Sequence, residues 1–230
     1  MPINIGFIVG LGMIWSVSIL AASDKPYLAN PKQPLCHGPA KAPWGLVYLH
    51  GIDTIKPSAQ ELTAREDLKK LANKMGFRLA IVRSPWECSS RKGQLCWPYR
   101  APEELQKTLT YVQQSAAKCL PDSQPQVLYG FSNAGYFAGQ IVARCVAHPF
   151  HRIVMTGAAG DPPAKGKKLT TCGRLDVMMG KGDMTLKKAR NFYQALRRAD
   201  AKVTLTVFPG GHRVDAPALE GILTQAPLAK

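Results

Sequence analysis

The sequence predicts an α/β protein in which a mostly parallel β-sheet is covered by helices on both faces. The chain has 230 residues, 46% of them hydrophobic and 20% charged, which is enough for one globular domain with a sizeable core. Short apolar segments alternate along it with longer segments of helical periodicity, as is typical of such a sheet. Its 20 Gly and 18 Pro follow no period and no segment repeats, so collagen-like and solenoid architectures are excluded.

The first half of the domain predicts two strands around one helix. The apolar run Leu46–Leu49 predicts a buried strand, and the leucine spacing of 57–75 predicts a helix that ends before Gly76, a C-cap glycine. A second strand is predicted at 78–82. The polar segment that follows, Ser84 to Arg100, is predicted to be a loop.

The second half continues the alternation. Pro102 stands at the first position of a helix that runs to about residue 118, and Glu103 and Glu104 occupy its favourable first turn. The remaining predicted elements are a strand at 126–129, a helix reaching about 147, strands at 152–155 and 175–179, a helix at 185–199, a strand at 203–208 and a helix at 217–223.

The N-terminus predicts export. Ile3 to Leu20 is apolar and is followed by the small residues 21–23, so residues 1–23 are predicted to be a signal peptide cleaved before Asp24. An uncleaved N-terminal membrane anchor is the alternative, because the apolar stretch is long and no Lys or Arg precedes it. Both interpretations place the domain, residues 24–230, outside the cytoplasm as a secreted or periplasmic protein. Residues 24–43 are predicted to be irregular, and a multi-pass membrane protein is excluded.

The net charge is strongly positive, since 30 Lys and Arg stand against 15 Asp and Glu to give +15. Such an excess attracts anionic surfaces, including acidic lipid headgroups, cell-wall polyanions and nucleic acid. The basic residues form short clusters without an interleaved aromatic stripe or a known reading motif. No specific nucleic-acid partner is therefore expected, and the sequence specifies no oligomeric state.

Six cysteines are spread over the chain: Cys36, Cys88, Cys96, Cys119, Cys145 and Cys172. In an oxidising compartment they predict up to three disulfides, and fifteen pairings are open. The pair Cys88–Cys96 is favoured because both residues flank one short polar segment. The spacing of Cys and His fits no zinc site, and no carboxylate-rich cluster suggests a metal, so neither a metal nor a cofactor is predicted.

Three polar residues follow predicted strands at positions that can converge. Ser132 lies between a strand and a helix, Asp183 follows the next strand but one, and His212 follows the strand after that. The crevice at the carboxyl ends of parallel strands is where ligands bind in open α/β sheets. A serine hydroxyl needs an adjacent base and donors for the developing oxyanion, and a strand-to-helix turn supplies such donors.

With these motifs, Leu49-His50-Gly51, Gly130 to Gly135, Gly182-Asp183 and Gly211-His212, the chain resembles the α/β-hydrolase family, in particular its small serine esterases. The resemblance spans about 44–223 and implies an α/β-hydrolase domain over 24–230. It implies that Ser132 is the nucleophile, that His212 is its general base and that Asp183 orients His212. The second glycine usual in the family's turn is replaced by Ala134, which is small enough for the turn to form.

The resemblance also implies an oxyanion hole made by the backbone amide of Asn133 and one amide of the loop after His50-Gly51, for which Ile52 is the candidate. His50 itself is either a base or, more in keeping with its position, a residue that holds this loop. Other groups have weaker placement: Asp53, Asp176 and Asp215 are alternative acids, and His37, His148 and His151 are interpreted as surface histidines.

The segment 156–174 is too short for the helical cap that this family often inserts there, so no large lid domain and an open site are expected. Trp86, Trp97 and Tyr99 either stack on a substrate or pack against the sheet edge, the latter being favoured. The sequence thus predicts an exported serine hydrolase that cleaves carboxylic esters, on a small-molecule or polymeric substrate, through an acyl-enzyme. A peptidase or polyester depolymerase on the same triad and a catalytically silent binding protein of the cell envelope are the alternatives.

Overall fold

The computed structural model describes residues 34–225, and within them it contains a seven-stranded sheet, a small three-stranded sheet and five helices. The strands are β1 (Leu35–His37), β2 (Gly45–Leu49), β3 (Asp53–Thr54), β4 (Arg78–Val82), β5 (Glu87–Cys88), β6 (Arg91–Leu95), β7 (Gln126–Phe131), β8 (Arg152–Thr156), β9 (Arg174–Gly180) and β10 (Lys202–Phe208). The helices are α1 (Ala59–Met75), α2 (Pro102–Ala116), α3 (Asn133–Arg144), α4 (Leu186–Arg198) and α5 (Ala216–Gln225). No helix in this part of the chain has the length and apolarity needed to cross a membrane.

The main sheet has the order β1-β4-β2-β7-β8-β9-β10, and every neighbouring pair is parallel except β1 with β4. Its carboxyl ends therefore lie along one edge, where β7, β9 and β10 deliver the residues that follow them. The predicted α/β class and mostly parallel sheet are confirmed.

Two apolar layers hold the helices on opposite faces of this sheet, because successive strand residues point to opposite sides. Val47 and Leu49 pack in the layer covered by α2, α3 and α4, whereas Leu46 and Tyr48 pack in the layer covered by α1 and α5. These strand side chains are fully buried, which explains why β2 reads as a continuous apolar run.

The segment predicted to be one loop, Ser84 to Arg100, is instead a short hairpin of β5 and β6 that pairs with β3. The sequence prediction was wrong here because β6, Arg91–Leu95, is mostly polar and carries no apolar signal. Part of the segment predicted to be irregular also forms a strand, since β1 pairs antiparallel with β4. Three residues are too few for a strand pattern to show in sequence.

Three disulfides join all six cysteines as Cys36–Cys119, Cys88–Cys96 and Cys145–Cys172. The predicted number and the favoured Cys88–Cys96 pair are confirmed. Cys36–Cys119 ties β1 to the end of α2, which gives this otherwise exposed edge strand a covalent anchor. A set of three disulfides fits a protein that folds in an oxidising compartment.

Segment 156–174 contains no helix, so the expected absence of a large lid over this part of the described chain agrees with the structure. Helix α3 ends earlier than predicted because Cys145, which adopts a left-handed conformation with φ 57°, is its C-cap. The prediction of a signal peptide or anchor over 1–23 lies outside the described residues.

Candidate active site

Ser132 occupies a strained turn between β7 and α3. Its φ of 52° and ψ of −115° are unusual for any residue with a side chain. The Ser132 N–H donates a hydrogen bond to the Thr156 carbonyl at 2.8 Å, which ties the turn to the end of the neighbouring β8. The turn places the serine hydroxyl at the carboxyl edge of the sheet, where it is half-buried.

Small residues allow this turn because backbone atoms crowd it. A Cβ atom on Gly130 would lie 2.4 Å from the Ala134 carbonyl oxygen, and one on Gly135 would lie 2.7 Å from the Ala158 side chain. Ala134 is completely buried, and its methyl group is accommodated. The family's usual second glycine is therefore not required for the turn in this chain.

The three predicted polar residues form one hydrogen-bonded chain. Ser132 Oγ lies 3.0 Å from His212 Nε2, and His212 Nδ1 lies 2.8 Å from Asp183 Oδ2. Asp183 follows β9 and His212 follows β10, so the parallel pairing of these two strands brings the loops together. The His212 side chain is 39% exposed while that of Asp183 is not exposed at all. The imidazole is thus reachable from solvent and the carboxylate is not.

Asp183 is held in its ionised form by His212 and by two donors of Thr185, which sequence reasoning did not identify. Burial alone would raise the pKa of the Asp183 carboxyl, but hydrogen bonds from the Thr185 N–H, the Thr185 hydroxyl and His212 outweigh it and lower that pKa below its usual value. Both Thr185 donors bind Asp183 Oδ1, at 2.8 and 2.7 Å, which leaves Oδ2 for the imidazole. The carboxylate therefore favours a proton on His212 Nδ1 and leaves Nε2 to accept one.

A close backbone contact positions the histidine loop. A Cβ on Gly180, the last residue of β9, would lie 2.2 Å from the Gly211 carbonyl oxygen. Gly180→Ala is therefore expected to displace the loop, lowering the free energy of unfolding by about 1–3 kcal/mol and kcat/KM by about 100-fold.

Gly221→Ala is the matched control, because a Cβ at this position in α5 meets no atom of the described residues within 4 Å. Alanine in a helix interior is expected to raise the free energy of unfolding by up to about 1 kcal/mol. Urea unfolding and ester kinetics on both variants test the contact; equal effects would contradict it.

Of the residues predicted to supply the oxyanion amides, Asn133 directly follows Ser132 and Ile52 follows Gly51, which lies close to it. Asn133 is the first residue of α3, and its side-chain oxygen accepts a hydrogen bond from the Trp97 N–H at 2.6 Å. Gly51 is so close to the Ser132 turn that a Cβ there would lie 2.9 Å from Ser132 Cβ. Ile52 follows it with 40% of its surface exposed. Among the described residues, no protein acceptor takes the N–H of Asn133 or Ile52.

His50 holds this loop in place through hydrogen bonds, and none of them is to Ser132. The completely buried imidazole donates from Nδ1 to the Gly51 carbonyl at 2.5 Å and accepts at Nε2 from the Ser84 N–H at 3.0 Å. The Trp97 indole N–H in turn donates to the His50 carbonyl at 2.8 Å. Of the two interpretations of His50, the structure supports the loop-holding one.

This arrangement predicts a pH dependence of stability. Burial lowers the pKa of His50 to about 4, whereas the unfolded chain has an ordinary histidine. The unfolded state therefore takes up a proton between about pH 6.5 and 4, and stability that is complete above pH 6.5 is lost on acidification. Between pH 7 and 4, His50→Gln is expected to lose roughly 3 kcal/mol less than the wild type in urea unfolding.

The exposed His151 provides the control for this experiment. His151→Gln is expected to follow the wild-type pH dependence. An identical acid slope in His50→Gln would show that His50 is not the titrating group.

The alternative acids lie elsewhere. Asp176 is buried within β9 and paired with Arg152, and Asp215 accepts from Arg213 and from the Ala218 N–H. Asp53 accepts from the Ser58 N–H at the start of α1. None of the three contacts His212 within the described part of the chain.

The remaining predicted side chains have structural contacts. His37 hydrogen-bonds Asn73, and His151 is exposed as expected. His148 was expected at the surface but is half-buried, stacking on Phe150, and burial lowers its pKa. The three aromatic side chains of segment 84–100 pack against the protein. Trp97 is 1% exposed, Trp86 packs edge-on against Tyr111, and Tyr99 stacks on Tyr136.

Comparison with known proteins identifies the fold. No family model matches this chain, and no curated protein matches its sequence. Among solved structures, a carboxylesterase from Mesorhizobium loti aligns with a TM-score of 0.58 and 16% identity, covering 80% of this chain and 88% of its own. The Bacillus cereus carboxylesterase aligns with a TM-score of 0.57 and 18% identity, covering 84% and 92%. Esterase PE8 aligns with a TM-score of 0.58 and 14% identity, covering 83% and 98%.

The class that these alignments and the sheet define is the α/β-hydrolase fold. The chain shares this fold with the carboxylesterases along most of both lengths, and the predicted α/β-hydrolase architecture is confirmed. At identities of 14–18%, the likeness is one of fold.

Proposed function

We propose that this protein is an exported serine hydrolase that cleaves carboxylic esters through an acyl-enzyme on Ser132, His212 and Asp183. The observation that carries the proposal is the continuous hydrogen-bonded chain from a strained serine to a buried carboxylate. The serine is poorly nucleophilic alone, and a neighbouring imidazole that accepts its proton is what an acyl transfer requires.

In the first half of the reaction, Ser132 Oγ attacks the ester carbonyl while His212 Nε2 takes the hydroxyl proton. The tetrahedral intermediate collapses by breaking the bond to the alcohol, which leaves with the proton that His212 returns. Asp183 stays ionised, since its pKa is lowered, and stabilises the imidazolium formed in between.

In the second half, His212 takes a proton from water as the water oxygen attacks the acyl carbonyl. The intermediate breaks the bond to Ser132 Oγ, which regains its proton, and the carboxylic acid leaves. One ester and one water thus become one acid and one alcohol.

The backbone amides of Asn133 and Ile52 are proposed to bind the oxyanion in both steps. Their support is that Asn133 directly follows Ser132, that Ile52 follows Gly51, which approaches Ser132 closely, and that neither amide donates to a protein group among the described residues. One such donor is typically worth about 3 kcal/mol of transition-state stabilisation.

Export is proposed from two features. Residues 1–23 read as a signal peptide, and three disulfides fit an oxidising compartment. An N-terminal anchor would keep the domain in the same compartment.

The test is hydrolysis of p-nitrophenyl esters from acetate to palmitate. Because no helix covers the site in segment 156–174, we expect turnover without activation by a lipid interface. The dependence on chain length then measures the acyl pocket. If a fluorophosphonate labels Ser132 but no ester is hydrolysed, the peptidase function would be favoured over the esterase function. If Ser132 is not labelled, its assignment as the nucleophile would be overturned.

A further inference from the structure

Helix α4 begins three residues after Asp183, and all of its charged side chains are positive. Among its 13 residues are five Lys and Arg and no acidic residue. Its apolar side, Ala189, Phe192 and Leu196, is buried, so all five cations are directed to the surface and exposed. Five positive charges are more than a single helix needs for solubility, because a mixture of positive and negative charges serves that purpose as well.

The surrounding segment adds to this field. Residues 161–200 contain ten Lys and Arg against four Asp. Three of the aspartates are already paired: Asp176 with Arg152, Asp183 with His212 and Asp200 with Lys168. Only a small part of the positive charge is therefore neutralised within the described chain.

Two adjoining cavities run beside α4 and concentrate these cations. One, of about 350 Å³, is lined by Lys165, Lys168 and Arg198. The other, of about 560 Å³, is lined by Tyr136, Lys188 and Arg198. Because both are also lined by Pro162 and Ala195, they form one continuous depression, which we call the basic groove.

The basic groove is lined by residues that are near the proposed nucleophile along the chain. The Tyr136 N–H donates to the Ser132 carbonyl at 3.0 Å, one helical turn along α3. On the other wall, Gly160 lies three residues after Gly157, where a Cβ would approach the His212 ring to 2.9 Å. Residues on both walls of the groove are thus only a few positions along the chain from Ser132 or from a residue that contacts His212.

Two of the groove's cations have no competing partner. Among the described residues, neither Lys188 nor Arg198 makes an ion pair, and both side chains are exposed. At the nucleophile end, Tyr136 and Tyr99 form a stacked pair with ring centroids 6.0 Å apart. The groove thus offers an amphipathic aromatic edge and several cations, with Asp161 as the acidic residue of its lining.

We propose that the basic groove binds the anionic groups of an acidic polysaccharide, so that the natural substrate is an ester carried by that polymer. The inference rests on the proposed function and narrows its substrate class. Cations repeated along a groove suit a chain with repeated carboxylates, and the tyrosine edge suits a sugar ring. Acyl groups on sugar hydroxyls are carboxylic esters, which nucleic acids and polyphosphates do not contain.

The experiment compares two double variants that remove the same charge from the same helix. Lys188→Gln/Arg198→Gln alters the groove, whereas Lys187→Gln/Arg190→Gln alters exposed residues of α4 that do not line it. Each protein is assayed on O-acetylated polygalacturonate, on neutral O-acetylated xylan and on p-nitrophenyl acetate at low ionic strength. Circular dichroism and thermal unfolding verify that both variants are folded.

We expect kcat/KM on the acidic polymer, relative to p-nitrophenyl acetate, to fall about tenfold in the groove variant. This loss should result from a higher KM, and it should disappear in about 0.5 M NaCl. The same ratio should change less than about twofold in the control variant, because its substituted residues do not line the groove. For both variants, the ratio of kcat/KM on neutral xylan to that on p-nitrophenyl acetate should also change less than about twofold, because xylan carries no charge.

Equal losses in the two variants, or equal wild-type rates on acidic and neutral polymers, would overturn the inference while leaving ester hydrolysis intact. The polysaccharide assignment would be overturned if the protein bound single-stranded DNA more tightly than polygalacturonate and if that binding depended on Lys188 and Arg198. Failure of the wild type on p-nitrophenyl acetate as well would instead remove the proposed function on which the inference rests.

Discussion

Ser132→Ala is expected to lower kcat for p-nitrophenyl ester hydrolysis by at least about 10⁴-fold and to leave the thermal midpoint nearly unchanged. Among the described residues, the hydroxyl makes only the hydrogen bond to His212, and alanine, like serine, carries one Cβ atom, so the substitution adds no backbone strain at φ 52°. The loss therefore reports chemistry and not unfolding. Steady-state kinetics and calorimetry on the purified variant measure the two quantities.

A matched control is Ser123→Ala, which removes an exposed hydroxyl from the turn before β7. This variant is expected to keep wild-type kinetics and the wild-type melting temperature. Retained activity in Ser132→Ala, or a large loss of stability in it, would contradict the assignment of Ser132 as nucleophile.

The sheet was predictable from sequence because its central strands are buried on both faces. β2 and β8 contain runs of apolar residues whose length and flanking glycines exclude a helix. The small sheet was not predictable, since β6 consists largely of polar residues and is held by the Cys88–Cys96 disulfide and by pairing with β3. Such strands are defined by tertiary contacts that leave no periodic pattern.

The positions of Ser132, Asp183 and His212 could be inferred because each follows a strand of one parallel sheet. The groups that support them were not inferred. Thr185 binds the carboxylate, and Trp97 joins the hairpin both to Asn133 and to His50. A threonine two residues after an aspartate is a local signal for a hydrogen bond between them. The contacts of Trp97 depend on the disulfide-closed hairpin, which has no comparable signature.

Asp183→Asn separates the proposed orienting role of the carboxylate from its structural role. The asparagine oxygen can still accept both hydrogen bonds from Thr185, so the side chain is expected to keep its position. The amide nitrogen then faces His212 Nδ1, which must accept a hydrogen bond instead of donating one. The imidazole proton moves to Nε2, where it points at Ser132 and prevents that nitrogen from taking the hydroxyl proton.

We therefore expect kcat to fall by about 10³- to 10⁴-fold at neutral pH with KM changed little. Asp200→Asn is the control, because Asp200 is an exposed aspartate paired with Lys168 and lies outside the site. It is expected to leave kcat unchanged. A fall of less than about tenfold in Asp183→Asn would mean that another group orients the histidine. Because Asp183 Oδ2 lies 2.8 Å from Nδ1 and the alternative acids have other partners, the expected result is the large loss.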